Sequence, residues 1–104
     1  MTILLAALTA ALACPPDVAA AASTLETAKA VRHAAYDKVH ETDWDALAAT
    51  GDRDRVLADQ AAATDALREA RQGVRDARKV NRDLKDAYPA EELACAPDDL
   101  PPRT

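Results

Sequence analysis

Phenylalanine is absent, and one Trp and two Tyr are the only aromatic residues among 104. Without large rings a chain of this length buries little apolar area, at about 25 cal/mol per Å², so an elongated helical object is expected rather than a globule around one large core. Glycine occurs only twice, which leaves no glycine-rich phosphate loop and few places for a tight turn. Two cysteines are too few for a disulfide scaffold, and their spacing is not that of a zinc finger. An excess of positive charge is also missing: the formal net charge is −5, which argues against nonspecific nucleic-acid binding. No nucleophile motif and no Ser/His/Asp grouping is present. With so few pocket-forming residues, neither an enzyme nor a bound cofactor is expected.

What the chain does have is alanine, leucine, arginine and acids in quantity, a composition that favours helix nearly throughout. The clearest pattern lies between Arg53 and Tyr88. Leu67, Ala70, Val74, Ala77, Asn81, Leu84 and Tyr88 follow one another at alternating spacings of three and four, the a/d seam of a heptad helix with one polar Asn in it. Ala66, Val80 and Ala87 fall at the flanking g position and are expected to widen the apolar face. Arg68, Arg71, Arg75, Arg78, Arg82 and Lys85 repeat with the same rhythm as a basic stripe, with Glu69, Asp76 and Asp83 as an acidic line beside it. Asn81 is read as a register-setting residue.

Ahead of this helix, Met1 to Ala13 is apolar and uncharged and is ended by Cys14-Pro15-Pro16. As a helix it spans roughly 18 Å, short of the ~30 Å hydrocarbon core, so a signal or anchor segment over 1–13 is expected rather than a span. Ala11-Leu12-Ala13 has the small-x-small form of a cleavage site, although no Lys or Arg precedes the apolar run. Leu12-Ala13-Cys14 also has the end of a bacterial lipobox, which would make Cys14 a lipidation site. A retained, buried N-terminal helix is the remaining option.

From Asp17, read as an N-cap, a helix is expected over Val18 to about Glu41, with Val18, Ala21, Leu25, Ala28, Ala35 and Val39 on one face and Arg32 interrupting it. Ser23 to Glu26 has the form of a capping box and offers a later start, while Thr42 to Asp45 suggests a break and restart. Thr50-Gly51-Asp52 is the best turn: Gly51 is expected in a left-handed conformation and Asp52 as the cap of the next helix. Pro89 should stop that helix at Tyr88, and Pro89 to Leu93 reads as a fresh helical turn. The fold class that follows is all-α: an elongated antiparallel helical hairpin or coiled coil over 14–96, turning near Gly51, with an extended Pro-rich tail over 97–104. The rival is a single long helix pairing with another chain.

Three groups of residues invite a functional reading. Leu12-Ala13-Cys14-Pro15-Pro16-Asp17 is echoed by Leu93-Ala94-Cys95-Ala96-Pro97-Asp98, on either side of Gly51. Folding back at Gly51 would bring Cys14 and Cys95 to one end, where an oxidising compartment would favour a bridge. Lipidation of Cys14, an intermolecular bridge through Cys95 and two inert thiols stay open. His33, Asp37, His40 and Glu41 share one side of a helix, a spacing that could hold a divalent metal if a second helix completed the shell, and that otherwise is a solvated polar face. The basic stripe could grip an acidic partner, or pair with its own interleaved acids, as in Lys79–Asp83 and Arg82–Asp86.

The layout of an apolar start (Met1 to Ala13), an Ala/Arg/Asp-rich helical stretch (Val18 to Tyr88) and a Cys followed by a Pro-containing tail (Leu93 to Pro102) resembles the small spanins of bacteriophages, the Rz-type lysis proteins. In that family an inner-membrane subunit and an outer-membrane lipoprotein meet across the periplasm and help fuse the membranes at lysis. The resemblance implies a non-enzymatic helical protein of the periplasm or bacterial envelope, with a protein partner or self-association through its helices and membrane association through its N-terminus. The other readings are a soluble cytoplasmic adaptor binding an acidic partner through Arg71, Arg78 and Lys85, and a weak metal-binding protein using His33 and His40.

Overall fold

A computed structural model describes residues 14–98 and residue 100. Among them are three α-helices, α1 (Pro16–Glu41), α2 (Trp44–Thr50) and α3 (Arg53–Ala87), followed by one 3-10 turn, Ala90–Glu92, and no strand. The fold is an all-α helical hairpin. The expected signal or anchor segment, residues 1–13, lies outside the described residues, as do Asp99 and 101–104 of the tail.

Local chemistry sets each boundary. Pro16 occupies the first helical position, where a missing N–H costs nothing and its φ already suits a helix. The Pro15 carbonyl accepts from the Ala19 amide at 3.0 Å. Asp17 therefore lies inside the first turn rather than capping it, its carboxylate accepting from the Val18 amide at 3.0 Å. Helix α1 then runs unbroken through Ser23, so no second start occurs there. Its last carbonyls are closed by side chains from the following corner. Thr42 Oγ1 donates to the Lys38 carbonyl at 2.6 Å, and Trp44 Nε1 to the Val39 carbonyl at 3.0 Å. Asp43 caps α2, accepting from the Ala46 amide at 3.0 Å.

Gly51 ends α2 by donating its N–H to the Leu47 carbonyl at 3.0 Å. Its backbone is extended, with φ −133° and ψ −156°, not left-handed as the turn chemistry suggests. The reversal is instead completed by Asp52, whose Oδ1 accepts from the Asp54 and Arg55 amides at 3.1 and 3.3 Å and caps α3. Helix α3 stops at Ala87, two residues before Pro89, and the Ala90–Glu92 turn follows with the Glu92 amide donating to the Pro89 carbonyl at 3.0 Å.

The chain divides into two compact units, one made of Met1–Glu26 and Arg75–Thr104, the other of Thr27–Val74. In the first, the start of α1 and the end of α3 run antiparallel, since Asp17 meets Tyr88 and Ala21 meets Asn81. Val18, Ala21 and Leu25 are buried there with Ala77 and Asn81, while Leu84 and Tyr88 are half-buried. Leu25, with no exposed surface, and Val18 are its best-covered side chains. Each contributes about 1.5–3 kcal/mol by burial.

In the second unit α3 supplies buried Ala63, Leu67, Ala70 and Val74, and α1 supplies half-buried Ala28, Arg32, Ala35 and Val39. Arg32 falls in step with the apolar stripe, where a long aliphatic stem can cover the seam while the guanidinium stays wet. The seam positions of α3 are thus covered, but the flanking row is not. Ala66, Val80 and Ala87 are exposed, so the apolar face is not widened as expected and the covered face of α3 is confined to its a/d stripe. The helices also differ in kind. The polar residues of α3 are segregated from its seam, whereas on α1 apolar and polar residues are mixed around the circumference.

Candidate functional site

The first unit concentrates its cross-links at one end. Cys14 and Cys95 form a disulfide, their Cα atoms 5.9 Å apart and 81 residues apart in sequence. Closing a loop of that length contributes about 4.5 kcal/mol in the chain-entropy model. A thiol held in this bridge is not available for lipidation, and neither cysteine is free. Tyr88, half-buried just before Pro89, donates its hydroxyl hydrogen to the Asp17 carboxylate, at 3.0 and 2.9 Å from its two oxygens. That hydrogen bond, followed by burial and by the charges of Asp17 and Glu92, raises the Tyr88 pKa above its ordinary value.

About two helical turns before Tyr88, the Asn81 amide is buried at 3% exposure. It donates across the seam to the Ala21 carbonyl at 2.9 Å and along its own helix to the Ala77 carbonyl at 2.8 Å. A side chain tied to one carbonyl of the opposite helix fixes the register of the pair.

The basic stripe lies along the surface of α3. Arg68 is exposed and paired with Asp65 at 3.1 Å, three residues away on the same helix. Arg75 and Arg82 are engaged in contacts of their own, as are Asp76, Asp83 and Asp86. Arg71 and Lys85 stand exposed and Arg78 half-exposed. The arrangement is a charged helix surface able to meet a carboxylate-bearing partner.

The histidine group does not assemble into a metal site either. His33 Nε2 lies 3.3 Å from Asp37 Oδ2, with the imidazole largely in solvent. The His40 ring packs on Tyr36, with centroids 4.1 Å apart. The two imidazoles are thus committed to different neighbours. Among the described residues no group of three or more His, Cys, Asp or Glu side chains is placed to hold a metal ion.

The second unit holds features that heptad spacing does not reveal. Helix α2 is flanked by two open hollows. The larger, about 460 Å³, is lined by residues of all three helices, among them Ala35, Lys38, Trp44, Leu47, Asp59 and Ala66. The smaller, about 300 Å³, is lined by Asp45, Ala48, Ala49, Arg53 and Leu57. Neither includes a residue of the basic stripe. The one available signal was the Trp44–Leu47 pair, which brings large apolar side chains to a short helix beside a turn.

Among the described residues no helix is long and apolar enough to cross a membrane. No family model matches the chain, and neither a curated relative nor a solved structure does.

Proposed function

We propose that this protein works outside the cytoplasm as a non-enzymatic, disulfide-closed helical hairpin that acts by binding other helices. The observation that carries this reading is the Cys14–Cys95 bridge. Disulfides persist in oxidising compartments and are rare among reducing ones. Here the bridge joins the two ends of a hairpin whose alanine-rich seam buries little area, so its contribution is large relative to the core. Cleavage after Ala13 would leave Cys14 as the first residue with its bridge intact, which makes simple export a better fit than lipidation of Cys14.

Within that class, a lysis component of spanin type is the specific function we propose, on the layout described above. The family's work is mechanical and interfacial, and the charged outer surface of α3 together with the seam-paired helices suits it. Exposed Arg71 and Lys85 favour a second reading, a helical adaptor for an acidic partner, in the same compartment or in the cytoplasm.

Two experiments test these layers. Mass spectrometry of the protein recovered from fractionated bacteria expressing the whole chain should show an oxidised Cys14–Cys95 pair in an envelope fraction. An intact Met1 with two free thiols in the cytoplasm would overturn the compartment. Expression from a phage lacking its own spanin genes should restore bursting in medium containing magnesium. Persistence of unlysed spherical cells, with the protein exported and oxidised, would remove the lysis role and leave the adaptor.

A further inference from the structure

Within the second unit, α1 is less covered than its composition warrants. Ala30, Val31, Ala34 and Tyr36 all lie exposed on it, Val31 at 55% and Tyr36 at 47%. Apolar and polar residues are mixed around this helix rather than sorted to one face, so apolar side chains remain on the side that α3 does not cover. Beside it lies the 460 Å³ hollow, walled by Ala35 and Lys38 of α1, Trp44 and Leu47 of α2, and Ala62, Ala63 and Ala66 of α3. Leu47 is 47% exposed there. The alanine floor lets another helix approach at the short end of the usual 8–10 Å interaxial range.

We infer that this hollow and the adjoining face of α1 are a docking surface for a second copy of the same chain. Charge complementarity selects this occupant. The hollow carries one cation, Lys38, on its α1 wall and one carboxylate, Asp59, on its α3 wall. A surface bearing one charge of each sign is complementary to itself under two-fold rotation, because Lys38 of each copy then faces Asp59 of the other. A strongly basic or acidic partner would leave one of the two charges opposed. The exposed Val31 and Leu47 side chains of one copy supply the apolar groups that fill the hollow of the other.

The test is sedimentation of the full-length oxidised chain from micromolar to millimolar concentration, with circular dichroism confirming helicity. The wild type should reach a dimer. Leu47→Asp and, separately, Val31→Glu should weaken association by at least about fivefold while the helices remain. Lys38→Asp alone and Asp59→Lys alone should each weaken it too, and an equimolar mixture of the two variants should associate more tightly than either does by itself. This recovery distinguishes a specific two-fold contact from general stickiness, and it uses exposed or hollow-lining residues whose exchange spares the seam. A wild type that stays monomeric over the whole range overturns the proposal. So does a dimer indifferent to Leu47→Asp and Val31→Glu, or a mixture that behaves as the average of its components.

Discussion

Tyr88 is hydrogen-bonded to both carboxylate oxygens of Asp17, a residue 71 positions earlier, at 3.0 and 2.9 Å. The contact ties the end of α3 to the first turn of α1, next to the disulfide. Since the bond needs the phenolic proton, the folded state holds that proton more tightly than the unfolded chain, where the tyrosine titrates near its ordinary 10.0. The stabilisation is fully present below that value and is lost as pH rises through the raised pKa of the folded protein. Urea titrations at neutral and strongly alkaline pH should show the wild type more stable than Tyr88→Phe in the first and level with it in the second. An advantage that persists at alkaline pH would mean that the stabilisation does not come from the phenolic hydrogen bond to Asp17.

Reduction of the Cys14–Cys95 bridge, or Cys14→Ser with Cys95→Ser, should lower unfolding free energy by up to about 4.5 kcal/mol. The loss should be uneven. Hydrogen exchange should quicken first over 16–26 and 75–87, in the unit that contains the bridge, and later over 53–74. Uniform acceleration would mean that the two units open as one.

Asn81→Asp replaces a donor aimed at two carbonyls, those of Ala21 and Ala77, with a buried carboxylate. An unpaired buried charge of this kind costs about 3–5 kcal/mol. The variant should unfold far more easily than the wild type at neutral pH and recover in acid, when the carboxyl gains a proton and can donate. Thermal melts across pH 3–8, roughly the range over which a buried carboxyl titrates, read this directly.

Gly51→Ala should change stability by no more than about 1 kcal/mol. The extended backbone at Gly51 is open to any L-residue, and loss of glycine's freedom in the unfolded chain favours the variant. Against this, the added Cβ would lie 3.2 Å from the Leu47 carbonyl oxygen and must shift a little. A large loss in a denaturant titration would show that the turn cannot give at this point.

The seam was legible because a stripe repeating every seven residues has one meaning for a helix: the buried set Leu67, Ala70, Val74, Ala77 and Asn81 coincides with it. The break near Thr42 and the cap at Asp52 were legible from side chains that bond to their own neighbours. Two local readings were displaced by stronger local chemistry. Pro16 starts α1 before Asp17 can cap it, and Asp52 makes the reversal without a left-handed Gly51. What lay beyond reach depends on where separate segments meet. Tyr88 finding Asp17, Trp44 closing on the Val39 carbonyl and the hollow beside α2 are products of tertiary placement, for which spacing carries no record.

The disulfide has a mechanical consequence. A pull applied to the chain before Cys14 and after Cys95 is transmitted through the sulfur–sulfur bond, because the two attachment points are held with their Cα atoms 5.9 Å apart. The seam between α1 and α3 carries none of that load, and tension on the two termini cannot unzip it while the bridge is oxidised. A dithiol reductant would remove that shunt, and the same pull would then fall on the paired helix ends.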